Sequence, residues 1–199
     1  GEPGTSTGTF TASVKVLYEH LDFAFEMLEE ILLRSKLTDE KRLGVILDAT
    51  MSRARMRLEH SSHSPAAMRA ASYYSPLSSF YDRTGGIGFY QFLEKITERC
   101  SKEEGYRLKL GKKLMEVAKT LFTASNMTVS YTADEEGHGR LPAALAAFTE
   151  VLPEGNGIRY PYEFMPELKN EGFRTASHVN DVARCGTVGE SAYTGALKV

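Results

Sequence analysis

The chain is poor in cysteine, has no surplus of one charge and contains no long apolar run. Only Cys100 and Cys185 occur in 199 residues, with neither a CxxC pair nor a Cys/His framework around them. That argues against a disulfide scaffold and suits two reduced thiols in an intracellular protein. The net charge is -2, from 24 basic and 26 acidic residues, and no block of one sign occurs. A surface that tracks phosphates needs a basic excess, so no nucleic acid is expected as a partner. No stretch approaches the roughly 18 apolar residues needed to cross a bilayer, so no membrane is expected either. The first residues, Gly1-Glu2-Pro3-Gly4-Thr5, lack the charged and apolar regions of a signal peptide and read as a cut or processed end.

Motifs for covalent catalysis and phosphate binding are missing too. There is no GxSxG elbow, and neither cysteine has a histidine or aspartate in suggestive company. The glycines of Gly4–Gly8 and Gly85–Gly88 do not follow a strand into GxGxxG or GxxxxGK[ST] spacing, so they read as turns.

What is present is a soluble globular composition, 42% hydrophobic and 25% charged, long enough for one ordinary domain and the start of a second. From Thr9 to Val16 the apolar residues Phe10, Ala12, Val14 and Val16 alternate with polar ones, which predicts a half-buried strand. Leu21, Ala24, Phe25, Leu28, Ile31 and Leu32 then recur at helical spacing, predicting an amphipathic helix that ends near Ser35. Thr38 and Asp39 offer a cap for a second helix, striped by Leu43, Ile46, Leu47, Met51, Ala54 and Leu58. Its Arg53, Arg55 and Arg57 read as a solvated or paired face.

Ser64-Pro65 opens a short helix towards Tyr74, and Pro76 discourages its continuation. Beyond Gly85-Gly86, Phe89, Phe92, Leu93 and Ile96 mark another helix, and Leu108 to Phe122 a further long one despite Gly111. Met127, Val129 and Tyr131 alternate as a second strand. Asp134 to Arg140 reads as a turn, and Pro142 as the opening of a helix through Leu152. Three prolines and two glycines between Pro153 and Pro166 mark a linker. Phe173 to Ala183 is strand-like. Helices outnumber strands that lie apart in sequence, so the expected class is α+β.

Metal chemistry has two places to hide among the five histidines. His60 and His63 stand three apart near a helix end and could share a face, but a closed site needs about four ligands and no cysteine or acidic triplet accompanies them. Surface histidines are the preferred reading. Val16-Leu17-Tyr18-Glu19-His20 imitates the inverted zinc motif HxxEH, with Val16 in place of the first histidine. The imitation reads as accidental. Tyr73, Tyr74, Phe80, Tyr81, Phe89 and Tyr90 form an aromatic group that could line a peptide-binding surface, with core and interface packing as the plainer alternative.

One stretch goes further than composition. Ser62-His63-Ser64-Pro65-Ala66-Ala67-Met68-Arg69-Ala70-Ala71-Ser72-Tyr73-Tyr74-Ser75-Pro76, followed by Gly86-Ile87-Gly88-Phe89-Tyr90-Gln91-Phe92-Leu93, resembles the presequence-protease branch of the pitrilysin/insulinase superfamily. Val14-Lys15-Val16-Leu17 and Phe25-Glu26-Met27-Leu28 fit the same family. So do Asn170-Glu171-Gly172-Phe173 through Ser177-His178-Val179-Asn180, and Tyr193 to Val199, all in family order.

The resemblance implies a zinc metalloendopeptidase whose four α+β domains close around a chamber. Zinc belongs to the first domain and a substrate-binding Arg and Tyr to the fourth. On that basis the fold expected here is a mainly antiparallel sheet covered by helices, as an insulinase/pitrilysin-like, non-catalytic domain. Residues 1–155 would be the later part of the third domain, 156–169 a linker and 170–199 the start of the fourth. No residue is assigned a catalytic or metal role, and substrate-binding residues are left unassigned. Zinc is expected in the parent enzyme and not in this chain. The expected partners are the remaining domains and the parent's peptide substrates. The expected location is intracellular, the cytoplasm of a bacterium or an organelle matrix. An inactive binding or assembly module derived from such a protease is the alternative.

Overall fold

A computed structural model describes residues 8–155, 167–175 and 179–186. Among them the ordered elements are helices, in the order α1 (Leu21–Leu33), α2 (Glu40–His60), α3 (His63–Ala71), α4 (Pro76–Gly85), α5 (Ile87–Lys102), α6 (Tyr106–Leu121) and α7 (Glu135–Val151). Short 3-10 turns cover Tyr18–His20 and Ala124–Asn126.

The α+β expectation is overturned: no strand occurs among the described residues, and no antiparallel sheet lies beneath the helices there. Residues 10–16 and 127–131 are outside any helix, yet neither belongs to a ladder. Phe10, Val14 and Val16 are 64%, 50% and 39% exposed, so the expected buried face is not formed. Alternation constrains the local backbone, whereas a strand exists only when a second backbone takes up its N–H and C=O groups. The strand-like run Phe173–Ala183 likewise has no strand in its described part, and residues 176–178 lie outside the described residues.

The chain divides into two compact units. One contains residues 45–103 with 1–6 and 162–199, the other 7–44 and 104–161. In the second unit α1 packs on α7 and touches α6. Leu21, Ala24, Ala144, Phe148 and Leu152 are buried there, and the Phe25 ring lies 5.2 Å from that of Phe148. Phe10 meets Phe122 edge-on at 5.2 Å. Gly111 interrupts the α6 pattern because a β-carbon there would stand 2.5 Å from the Leu37 carbonyl oxygen. Gly105, at φ 72°, supplies the left-handed residue that starts α6.

The other unit stacks α3 on α4 and α4 on α5, with α3 also touching α5. Ile87, Leu93 and Ile96 are buried from α5, whereas Phe92 of the expected stripe is 54% exposed. α2 begins as its cap signal predicts, with the Arg42 amide donating to Asp39 Oδ1 at 2.9 Å.

Two boundaries differ from expectation. Pro76 does not merely end a helix; it opens α4, with the Ser78 amide donating to Ser75 Oγ at 3.4 Å. The supposed turn from Asp134 to Arg140 is instead the first part of α7. Asp134 caps it by accepting from the Gly137 amide at 2.9 Å, and Pro142 sits inside the helix. The effective N-cap at Asp134 outweighs the poor helix propensity of Gly137, His138 and Gly139.

Candidate functional site

The densest polar constellation among the described residues centres on Arg69 of α3. Helix α4 carries Asp82, whose side chain is 2% exposed. The Gly85-Gly86 break then lets α5 start directly beside it, and the Gly88 amide donates to Asp82 Oδ1 at 3.2 Å. Arg69 Nη1 donates to the other oxygen, Oδ2, at 2.7 Å. Both carboxylate oxygens are thereby occupied, which is what a buried charge requires.

The opposite edge of the guanidinium reaches Glu171. Nε donates to its Oε2 at 2.8 Å and Nη2 to its Oε1 at 3.1 Å, a bidentate fork. The Tyr73 hydroxyl accepts from Nε at 3.1 Å and itself donates to Glu171. Aromatic rings flank the cation, with Arg69 Cζ 5.5 Å from the Tyr73 centroid and 5.9 Å from that of Phe173.

The electrostatics follow from these contacts. The hydrogen bond to Glu171, aided by Asp82, raises the Arg69 pKa further despite partial burial. The same bond from Arg69 holds the Glu171 carboxyl below its usual range. Burial first, then the bond to Glu171, pushes the Tyr73 phenol up, so it remains protonated and a donor at neutral pH. A permanently charged guanidinium, an occupied aspartate and a protonated phenol cannot shuttle a proton. They can hold a carboxylate in one place and orientation.

The metal candidates are not brought together. His60 ends α2 and His63 begins α3, so no single helix presents both. Val16 is in a non-helical stretch and Tyr18–His20 form a 3-10 turn, so the HxxEH look-alike has no common helix. Among the described residues no three of His, Cys, Asp and Glu are grouped to hold a metal ion, so no ligand set for the zinc expected of the parent is found there. No helix among them is long and apolar enough to cross a membrane. Cys100 and Cys185 are free thiols.

The aromatic group separates into different environments. Tyr73 serves Arg69, the rings of Phe80 and Tyr81 meet edge-on at 6.0 Å, and Tyr90 hydrogen-bonds Arg55. Arg57 reaches the Gly85 carbonyl at 3.3 Å, so two of the three α2 arginines are paired.

Sequence reasoning passed over Asp82. Ser75-Pro76 repeats the cap-plus-proline signal of Ser64-Pro65, and it would have placed Asp82 on a helix next to the two-glycine break. Nor did it see that three separated stretches quoted for the family resemblance meet here. Arg69 and Tyr73 come from the first, Gly86 and Gly88 from the second, Glu171 and Phe173 from the third.

Residues 2–96 match the family described as "Peptidase M-16C associated". The chain is 25% identical over 189 residues to Protein HypA of Clostridium perfringens, covering 94% of this chain and 19% of that protein. It is 24% identical to Presequence protease 1, chloroplastic/mitochondrial, of Arabidopsis thaliana, covering 86% of this chain and 16% of the relative. With the mitochondrial presequence protease of Saccharomyces cerevisiae the identity is 23%, over 68% of this chain and 14% of the relative. The chain therefore spans less than a fifth of the length of each of these relatives.

Proposed function

We propose, for a chain that is a presequence-protease-like stretch of the pitrilysin superfamily, that it is a non-catalytic segment of a zinc-dependent metalloendopeptidase. Its role is to form chamber wall and to make contacts with the remaining domains. Residues 1–155 belong to the third domain, 156–169 to a linker and 170–199 to the start of the fourth. The parent degrades peptides in the cytoplasm of a bacterium or in an organelle matrix.

The observation that carries this reading is the balance of apolar surface. Eight apolar residues are buried among the described ones, while many large ones are exposed. On α1, Phe23, Met27 and Ile31 are 56%, 39% and 60% exposed at four-residue spacing, a continuous stripe on the face away from Leu21 and Ala24. Such a stripe suits a surface covered by further polypeptide. The extended, apolar residues 10–16 suit a strand whose partner is supplied from elsewhere.

The test uses the full reading frame that encodes this segment. The full protein is expected to carry zinc and to cleave unstructured peptides, and the 199-residue chain to do neither. Phe23→Glu with Ile31→Glu should destabilise the full protein while leaving the melting point of the isolated chain unchanged and improving its solubility. A full protein without zinc or cleavage would point to the assembly module instead. Equal effects of the double variant in both settings would remove the inter-domain role.

A further inference from the structure

The Arg69 constellation is more than a buried ion pair, because its two carboxylates are held differently. Asp82 is 2% exposed and is fixed from within by the Gly88 amide. Glu171 is 25% exposed and arrives from a stretch, residues 167–175, whose described residues are all exposed. The inner carboxylate orients the guanidinium, and the outer one occupies the fork that this orientation presents. An arginine held in advance by one acid loses less freedom when it binds a second.

We propose that Arg69 and Tyr73 form a carboxylate-receiving peptide site on α3, whose resident ligand is the chain's own Glu171–Phe173, and which takes a Glu-x-aromatic peptide when that segment is displaced. Two features of the ligand are read. The glutamate receives the Arg69 fork and the Tyr73 hydroxyl, and the aromatic ring two positions later lies against the guanidinium, 5.9 Å from Cζ. The middle residue is not read, since a β-carbon on Gly172 would meet nothing within 4 Å. Aspartate is too short by one methylene to reach both donors from the same backbone position. Lysine in place of Arg69 would have no fork with which to serve Asp82 and the ligand together.

The site is tested in the full chain with a fluorescently labelled peptide of the sequence of residues 167–175, followed by anisotropy. Wild type should bind it weakly, because the tethered copy competes at a millimolar-range effective concentration. In Glu171→Gln that competition is weakened, and the peptide should bind about tenfold more tightly. Replacing the peptide's own glutamate by glutamine should abolish the gain, and its phenylalanine by alanine should reduce it. Tyr73→Phe in the Glu171→Gln background should weaken binding several-fold without altering the melting point, which separates recognition from loss of fold. Saturable binding that ignores the peptide's glutamate would overturn the proposal, as would no binding to the Glu171→Gln chain.

Discussion

Gly88 lies so close to Asp82 that a β-carbon on it would stand 2.5 Å from Asp82 Oδ2, the oxygen that receives Arg69. Gly86 is almost as close, its would-be β-carbon 2.7 Å from Oδ1 and 2.9 Å from the Asp82 Cα. Both glycines are required here for space, not for an unusual backbone angle.

Gly88→Ala therefore sets two effects against each other. Inside α5 alanine gains up to about 1 kcal/mol of helix propensity over glycine. The collision falls on a buried, doubly bonded carboxylate, where forcing extra volume costs about 1–3 kcal/mol. We expect net destabilisation in chemical denaturation, and greater harm from Gly86→Ala, whose clash includes backbone. A more stable Gly88→Ala would mean that the Asp82 carboxylate rotates away freely.

Removing Asp82 leaves a partly buried guanidinium with only its outer partner. Asp82→Ala should lower stability by about 3–5 kcal/mol, the usual cost of breaking a buried pair from one side. Denaturation midpoints of Asp82→Ala and Glu171→Ala should differ widely, the second being close to wild type.

Acid should release the outer contact before the inner one. The Glu171 pKa is lowered in the folded chain, chiefly by the Arg69 bond and further by the Tyr73 hydroxyl and the charge of Lys169. A depressed carboxyl contributes its full stabilisation above the unfolded value of about 4.3, and loses it as pH falls through the folded value. Arg69 stays charged and Tyr73 stays protonated across this window, so Glu171 is the titrating partner. The Gly172 amide resonance should move below about pH 4 in wild type and not in Glu171→Gln.

Pro142 stands exposed within α7, where it cannot donate to the His138 carbonyl. Pro142→Ala should stabilise the unit by up to about 3 kcal/mol and raise Tm. An unchanged or lower Tm would show that the ring serves a contact that outweighs the missing hydrogen bond.

Much of the helical order was legible locally. Asp39 before Leu43, the Gly85-Gly86 break, and the stripe Leu21, Ala24, Leu28 each specify a boundary or a face through the residues themselves, and the structure places them so. α4 and the start of α7 were equally local, written in Ser75-Pro76 and in Asp134 before Gly137, and went unread. The absence of a sheet among the described residues could not be read in this way. Phe10, Val14 and Val16 carry a true strand pattern, but pairing is a property of two backbones, and only the assembled chain decides whether the second is there. The Arg69 site belongs to the same class. Its residues come from positions 69, 73, 82, 88, 171 and 173, and nothing in their local spacing says that an arginine on one helix will meet a glutamate 102 positions away. The sequence by itself determined which segments coil, where they stop, and the family whose motifs they carry. Only the tertiary structure decided which charges are buried together, because burial and partnership depend on long-range packing that no short window of residues contains.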